Sequence, residues 1–442
     1  MRFTVLSPLN IILRSLSFAT ACLLLAASVS AEERFVDSAK ALKSAISKAK
    51  PGDEIVMANG DWRDVEVSFV GNGNESALIV LRAETPGQVK LSGRSRLSIG
   101  GKWLEVRGLL FTDGASGTDA VVEFRSSSSN LAYNCRLVDC SIIDYNSDPK
   151  VDNKWVSVYG RNNVIENCHL RGKTNDGCTL VVWLDEKLAP NNTIIRGNYF
   201  GPRPEGDGNG FETIRIGTSD RSHLESNALV EGNYFEACNG EIEIVSNKSC
   251  GNIYRSNIFD SCEGQLTLRH GDRCIVENNS FYGGSASQAS GVRVIATGHI
   301  VRYNYFQDLS QTKIRSAITL MSGEENPKPS GYFPVLQAEI TANVFVDCKV
   351  AFGIGVGSSK NPTVLPPANS IFMKNTVVGS TGKVLEFYSD APGLIFENNQ
   401  VVGLSAPDVE GFKVFSDLDG ALRAAVLREK PNAKDYGPSW MR

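Results

Sequence analysis

The sequence predicts an all-β chain wound as one right-handed parallel β-helix, with a helical cap at the N-terminal end and a short helix at the C-terminal end. Three observations carry that expectation. A motif of apolar residue, one or two polar residues, asparagine and apolar or aromatic residue recurs, as in "VIENCHL", "IIRGNYF", "LVEGNYF", "IVENNSF" and "IFENNQV". Its asparagines stand at 167, 198, 233, 257, 279, 304, 343, 375 and 399, in steps of 22 to 39 residues. A floor near two dozen residues with longer insertions is what a solenoid with variable loops shows. The short segments alternate Val, Ile, Phe and Tyr with polar residues and are parted by Gly, Asn, Asp and Ser, so they read as strands and turns.

Taken in chain order, residues 1–31 place Arg2 and Arg14 before an apolar run that ends in Val29-Ser30-Ala31. That reads as a signal peptide, with the exported chain starting near Glu32 and working in the periplasm or outside the cell. No later stretch is apolar for long enough to span a bilayer. "DSAKALKSAISKAKPGDEIV" has an amphipathic helical pattern closed by Pro-Gly, a cap over about 32–60 leading into the first coil. The repeated asparagines are expected in one turn of each coil, where an amide tolerates left-handed backbone and can hydrogen-bond along a ladder. Cys238, Cys262 and Cys348 each follow an asparagine by five residues. With nine cysteines left after cleavage, an odd number, they read as a stacked column of buried thiols rather than a disulfide framework. "SDLDGALRAAVLREK" reads as a helix within a C-terminal cap over about 405–442. No linker marks a second domain between 32 and 442, and a monomer is expected.

The formal charge is -4 for 442 residues, and -6 once Arg2 and Arg14 are removed, which argues against nucleic acid as a partner. One block of the solenoid is rich in charge: "RPEGDGNGFETIRIGTSDRSH" (203–223), "NGEIEIVSNKSCGN" (239–252) and "GQLTLRHGDR" (264–273). Over 201–275 there are twelve acids and seven Lys plus Arg, a local charge of -5. Glu241 and Glu243 are expected on one face of a strand, where they repel unless a cation lies between them. Lys248 and Arg269, 21 residues apart, can be neighbours on adjacent coils. A salt-bridged solvent face, a metal site and a catalytic centre all fit these residues. Two outward carboxylates plus the amide oxygen of Asn209, one coil earlier, are hard oxygen ligands suited to Ca²⁺, and such an ion would let an acidic site receive an anionic ligand.

"NGFETIRIGTS", "EIEIVSNKS" and "LRHGD", in this order, resemble polysaccharide lyase family 6, which contains alginate lyases and chondroitinase B. The resemblance implies a parallel β-helix that cleaves a uronic acid polymer by β-elimination, with calcium on the substrate carboxylate. It puts the base on Lys248, the acid on Arg269 and the calcium ligands on Glu241, Glu243 and Asn209. It also implies a sugar contact from Arg315 in "KIRSAITL". His270, Arg215 and Arg203 are candidate substrate contacts beside the centre, with Lys173 and His223 as further ones, because a guanidinium fork bonds both oxygens of a carboxylate. The chemistry agrees: a C5 proton is too weakly acidic for a lysine unless the adjoining carboxylate is neutralised, and Lys248 must be neutral to accept it.

Three alternatives stand beside this reading, two of another class and one within the family. A pectin-type hydrolase on this fold needs clustered aspartates as acid and base. A non-catalytic carbohydrate-binding β-helix would leave an outward Lys/Arg pair beside carboxylates unexplained. A chondroitin or dermatan sulfate lyase differs only in substrate, and "NGFETIRIGTS" resembles the alginate-active members more. Phe211 stands where many of those have glycine, which is expected to alter the subsite wall.

Overall fold

The computed structural model describes residues 31–359 and 362–442, so the expected signal peptide lies outside the described residues apart from Ala31. Ala31–Arg442 forms one compact unit. Three 14-stranded sheets run its length, and apart from the antiparallel hairpin Arg125–Ser127/Asn130–Tyr133 at one sheet's end their strands pair in parallel from coil to coil. Short β-branched and aromatic runs put one side chain in and the next out, and the inward rows fuse into a continuous apolar core. Phe200, Phe235, Phe259, Phe281, Phe306 and Phe345 stack along it with centroids 4.6–4.9 Å apart. The predicted β-helix is therefore the observed architecture.

The asparagine ladder is present but is placed differently from the expectation. Asn198, Asn233, Asn257, Asn279, Asn304, Asn343, Asn375 and Asn399 are buried, and each of the first seven sends its Nδ2 to the next one's Oδ1 at 2.9–3.0 Å. The left-handed backbone falls on the residue before each, Gly197, Gly232, Ser256, Asn278, Tyr303, Ala342, Lys374 and Asn398. Turning the chain one residue early points the amide inward to meet its neighbours. Asn167 is itself such a turn residue, and the backbone N–H of Cys168 takes the ladder contact to Asn198 instead. The nine described cysteines are buried and unpaired, and Cys238 N–H points at Cys262 Sγ at 3.4 Å.

At the N-terminal end helix Ala39–Lys48, capped by Ser38 Oγ, buries Leu42, Ala45 and Ile46 over the first coil. Helix Gly420–Val426 is also where it was expected. The rest of the expected C-terminal cap is corrected: residues 430–442 do not cover the last coil but run back along the outside. Lys430 pairs with Asp260, Tyr436 packs on Tyr234, Gly437 N–H donates to Gly197 O and Trp440 Nε1 donates to Asp139 O. A row of outward tyrosines, Tyr199, Tyr234, Tyr282 and Tyr305, supplies the apolar seat for that strap.

Candidate active site

Four successive strands of one sheet, Ile214–Gly217, Glu243–Lys248, Gln265–His270 and Val292–Val294, carry the charged block on their outer face. Ile214, Ile216, Val245, Leu266, Leu268, Val292 and Val294 point into the core. By alternation Arg215, Gly217, Ser246, Lys248, Thr267 and Arg293 point out.

Two bulges set the spacing of the site. Glu243 pairs with Gln265 but Val245 with Leu266, so Ile244 is an extra residue. That shift lets Glu243 and Lys248, an odd number of residues apart, share the outer face. Asn247 pairs with Leu268 but Lys248 with His270, so Arg269 is the extra residue of the neighbouring strand and lies beside Lys248. One expectation is corrected here: Glu241 is not a strand residue, since the strand starts at Glu243 and Glu241 lies in the bend before it.

The carboxylates form a buried cluster. Glu243 accepts from Arg293 and Ser246 and lies 3.8 Å from Arg269 Nε. Burial pushes its pKa up, but Arg293, Lys248, Ser246 and Arg269 together outweigh that and hold it below the usual range. Glu212, fully buried, accepts from Cys178 Sγ at 3.1 Å through one oxygen and lies 3.6 Å from Lys248 Nζ and 4.0 Å from Arg215 through the other. Glu241 is different. Burial first, then the charges of Glu212 and Glu243, push its carboxyl up to about 8, with Lys248 and the Gly210 backbone opposing. Oε1 of Glu212 and Oε1 of Glu241 are buried without a hydrogen-bond donor. Buried carboxylate oxygens without donors are costly, and a hard cation would satisfy them.

Among the described residues no group of three or more His, Cys, Asp or Glu side chains is arranged as a metal cage. The two findings are compatible: Glu243 is turned toward its arginines, which leaves Glu212 and Glu241 as the oxygens with capacity to spare. The donor set fits an oxygen-seeking divalent ion, with Glu212 as a carboxylate that sequence reasoning had not singled out. Asn209 is exposed on the loop that ends at Gly210, whose N–H faces Glu241, so the amide is near the cluster without being bonded to it.

The arginines divide into two kinds. Arg269 donates to Ser330 O and Gly331 O, each at 2.8 Å, under the ring of Tyr332 at 4.3 Å, and burial lowers its pKa. Arg315 donates to Glu263 O and Gln288 O, and Arg215 lies over the Trp183 ring at 5.3 Å. Arg203, expected to meet substrate, is corrected. It is 2 % exposed, and its guanidinium is committed to the carbonyls of Asn175, Gly177 and Glu212 and to the ring of Phe211. Lys173 is buried in the same way, on Asn175 and Asp176 carbonyls. Arg203, bonded to Glu212 O, closes the loop that carries Asn209, whereas Lys173, its pKa pulled down to about 6 by burial, braces its own loop at Asn175 and Asp176. Phe211, expected in a subsite wall, is buried against Arg203 and wedged on Gly206. His223 is exposed. His270 is buried beside Arg269 and edge-on to Phe333, and burial with the charges of Arg269 and Lys248 pulls its pKa down to about 2. Its imidazole is therefore neutral and can hydrogen-bond but not act as an acid.

Sequence reasoning missed Glu212, Arg293 and the segment 324–333 over Arg269. Glu212 lies inside "NGFETIRIGTS", and Arg293 follows Arg269 by 24 residues, one coil step. The segment over Arg269 has no local signal.

Comparison with known proteins gives a consistent answer. A family model described as Chondroitinase B matches residues 36–406. The alginate lyase AlyGC is 39 % identical with a TM-score of 0.85 over 92 % of this chain, which spans only 56 % of the AlyGC chain. A mannuronic acid specific family 6 lyase from human gut microbiota is 31 % identical with a TM-score of 0.82, covering 92 % of this chain and 96 % of its own. The polysaccharide lyase Pedsa3628 from Pseudopedobacter saltans is 26 % identical, with a TM-score of 0.75. No curated protein matches. With the family model covering most of the chain and relatives above 30 % identity aligned along nearly its whole length, the chain belongs to polysaccharide lyase family 6.

Proposed function

We propose that this protein cleaves an anionic poly-uronate, alginate first, by β-elimination, with Lys248 as base and Arg269 as acid. One observation carries the reading. Lys248 stands on the outer face between Glu212 and the Arg269 bulge, with spare carboxylate oxygen at Glu212 and Glu241 within the same cluster. A uronate lying along the sheet would bring its C5 hydrogen over Lys248 and its bridging O4 toward Arg269.

Lys248 accepts the C5 proton in its neutral form, with Arg269 beside it on the neighbouring strand and Glu212 3.6 Å away. A cation drawing on Glu212 and Glu241 would take Glu212 from Lys248. We assign that cation as Ca²⁺, held by Glu241 and Glu212 with Asn209 from the adjoining loop; Glu243, expected as a ligand, is instead engaged by Arg293 and Ser246. Bound there, it supplies charge neutralisation for the substrate carboxylate. Arg269 stabilises the charge developing on O4 and returns a proton to it; its lowered pKa makes the guanidinium less reluctant than in water. His270, neutral, steadies the sugar by hydrogen bonding, and Arg215 and Arg315 lie along the same face for flanking carboxylates.

We assign the chain to the periplasm or the exterior, after removal of residues 1–31. A second reading, dermatan sulfate as substrate, is favoured by the family model's description alone. Ultraviolet absorbance of the new C4–C5 double bond, followed on mannuronate blocks, guluronate blocks and dermatan sulfate, separates the two. Activity lost on chelation and restored by Ca²⁺ is expected; full activity in a chelator removes the metal from the proposal.

A further inference from the structure

The row of outward residues that ends at Lys248 continues past it toward the N-terminal end. Val158, Val182, Ile216 and Asn247 are paired neighbours on successive rungs and face inward. The residues that follow them, Tyr159, Trp183, Gly217 and Lys248, therefore form one outward row. Arg125, in a short hairpin strand that pairs antiparallel with Leu131, stands at the head of that row through its contact with Tyr159.

These side chains are not independent. Tyr159 and Trp183 stack with centroids 5.8 Å apart and planes 14° from parallel. Arg125 lies over Tyr159 at 3.8 Å on one side, and Arg215, one rung nearer Lys248, lies over Trp183 at 5.3 Å on the other. The column thus holds two guanidinium forks in fixed places. Arg125 is already bonded to Glu123 at 2.7 Å, whereas Arg215 reaches a carboxylate only at 4.0 Å. Trp183 Nε1 is itself buried and has no acceptor, so what the column offers a ligand is the edges of its rings and the Arg215 fork.

Gly217 lies between this column and Lys248. Its φ is +83°, and a Cβ there would meet Lys248 O at 2.3 Å and Leu184 Cδ1 at 2.8 Å, so backbone and Leu184 pack closely at that rung. The row therefore presents base, closely packed glycine and aromatic wall in that order. Trp183 stands two rungs from Lys248, roughly 10 Å at the spacing of paired strands. That is beyond the two sugars joined by the scissile bond.

We propose that Trp183 and Tyr159, with Arg215, form a distal subsite for a uronate of the bound chain on the N-terminal side of the centre. The ring edges give the sugar an apolar wall, and the Arg215 fork takes the carboxylate. Substrates too short to reach the column forgo this binding energy. The inference rests on the reading that poly-uronates are the substrate.

The test uses defined mannuronate and guluronate trimers and hexamers. In Trp183→Leu the hexamer-to-trimer ratio of kcat/KM is expected to fall about tenfold from that of the unsubstituted enzyme, the effect of losing one good aromatic contact. Binding to full-length Lys248→Ala gives a second readout that needs no turnover. Hexamer changes its tryptophan emission and dimer does not, and the change disappears in Lys248→Ala/Trp183→Phe. An unchanged ratio in Trp183→Leu, or an emission change equal for dimer and hexamer, overturns the subsite. No cleavage of either hexamer or polymer by the unsubstituted enzyme overturns the elimination reading itself, a separate result.

Discussion

Two faces of the same solenoid use charge in opposite ways. On the sheet that holds strands 104–107 to 300–302, carboxylates and guanidinium groups are matched across or along the rungs. Glu105 meets Arg107 and Arg136, Glu166 meets Arg136 and Arg196, Glu231 meets Arg255, and Glu277 meets Arg302. On the face around Lys248, three glutamates are gathered, and two keep a buried oxygen without a donor. Burial alone does not separate the faces, since Glu105 and Glu212 are both fully buried, nor does a missing hydrogen bond, since Glu105 Oε2 lacks one too. The difference lies in how near the cations are: Glu105 Oε2 has Arg136 at 2.9 Å, whereas Glu212 Oε1 has Lys248 at 3.6 Å and Arg215 at 4.0 Å, and among the described residues Glu241 forms no ion pair. That contrast is the basis of the proposed cation site.

This contrast can be broken most strongly at Lys248. Lys248→Ala is expected to lower kcat on polymer by about 10³-fold or more, the scale of a lost general base, with the melting temperature little changed. A loss under tenfold removes Lys248 from that role. Glu243→Gln comes next, because it strips the negative charge from buried Arg293. About 3–5 kcal/mol of stability is expected to go, as for one partner removed from a buried pair, and activity with it. Denaturant unfolding measures this, and an unchanged midpoint would mean that Arg293 has another partner.

The acidity of Glu241 yields a pH prediction. Its folded pKa, about 8, lies above the ordinary value of 4.5, so the folded state favours the protonated form. Its contribution to stability is present below 4.5 and is lost as pH rises through about 8. Melting of chelator-treated protein is expected to weaken over that window, and Glu241→Gln flattens the slope. Calcium bound at the proposed site would favour the carboxylate, so the slope is expected to shrink when it is added. A slope indifferent to both changes contradicts the cluster as described. The smallest effect belongs to the paired face: Arg255→Ala, whose partner Glu231 is part-exposed, is expected to cost under about 1 kcal/mol and leave activity intact.

How much of this was legible from sequence depended on whether a feature was periodic. The coil repeat, the buried thiols and the nearness of Lys248 to Arg269 follow from spacing, because stacked coils turn sequence distance into height. The ladder was legible as asparagines but not as geometry, since the left-handed turn falls one residue earlier, even on Tyr303 and Lys374. Period-two reasoning failed around Glu243 because bulges at Ile244 and Arg269 reset the alternation, and no residue type announces a bulge. Arg203 and Lys173 were misread for another reason. A cation in a glycine-rich loop looks like a ligand contact until backbone carbonyls are found to surround it.

The central claim is elimination at Lys248, and it is tested most directly by the mass of the products made from alginate in water enriched in heavy oxygen. Elimination gives unsaturated fragments whose masses sum to that of the substrate, carry no label at the cleaved bond, and vanish in Lys248→Ala. Fragments heavier by a labelled water, or unsaturated fragments formed equally well by Lys248→Ala, would contradict it.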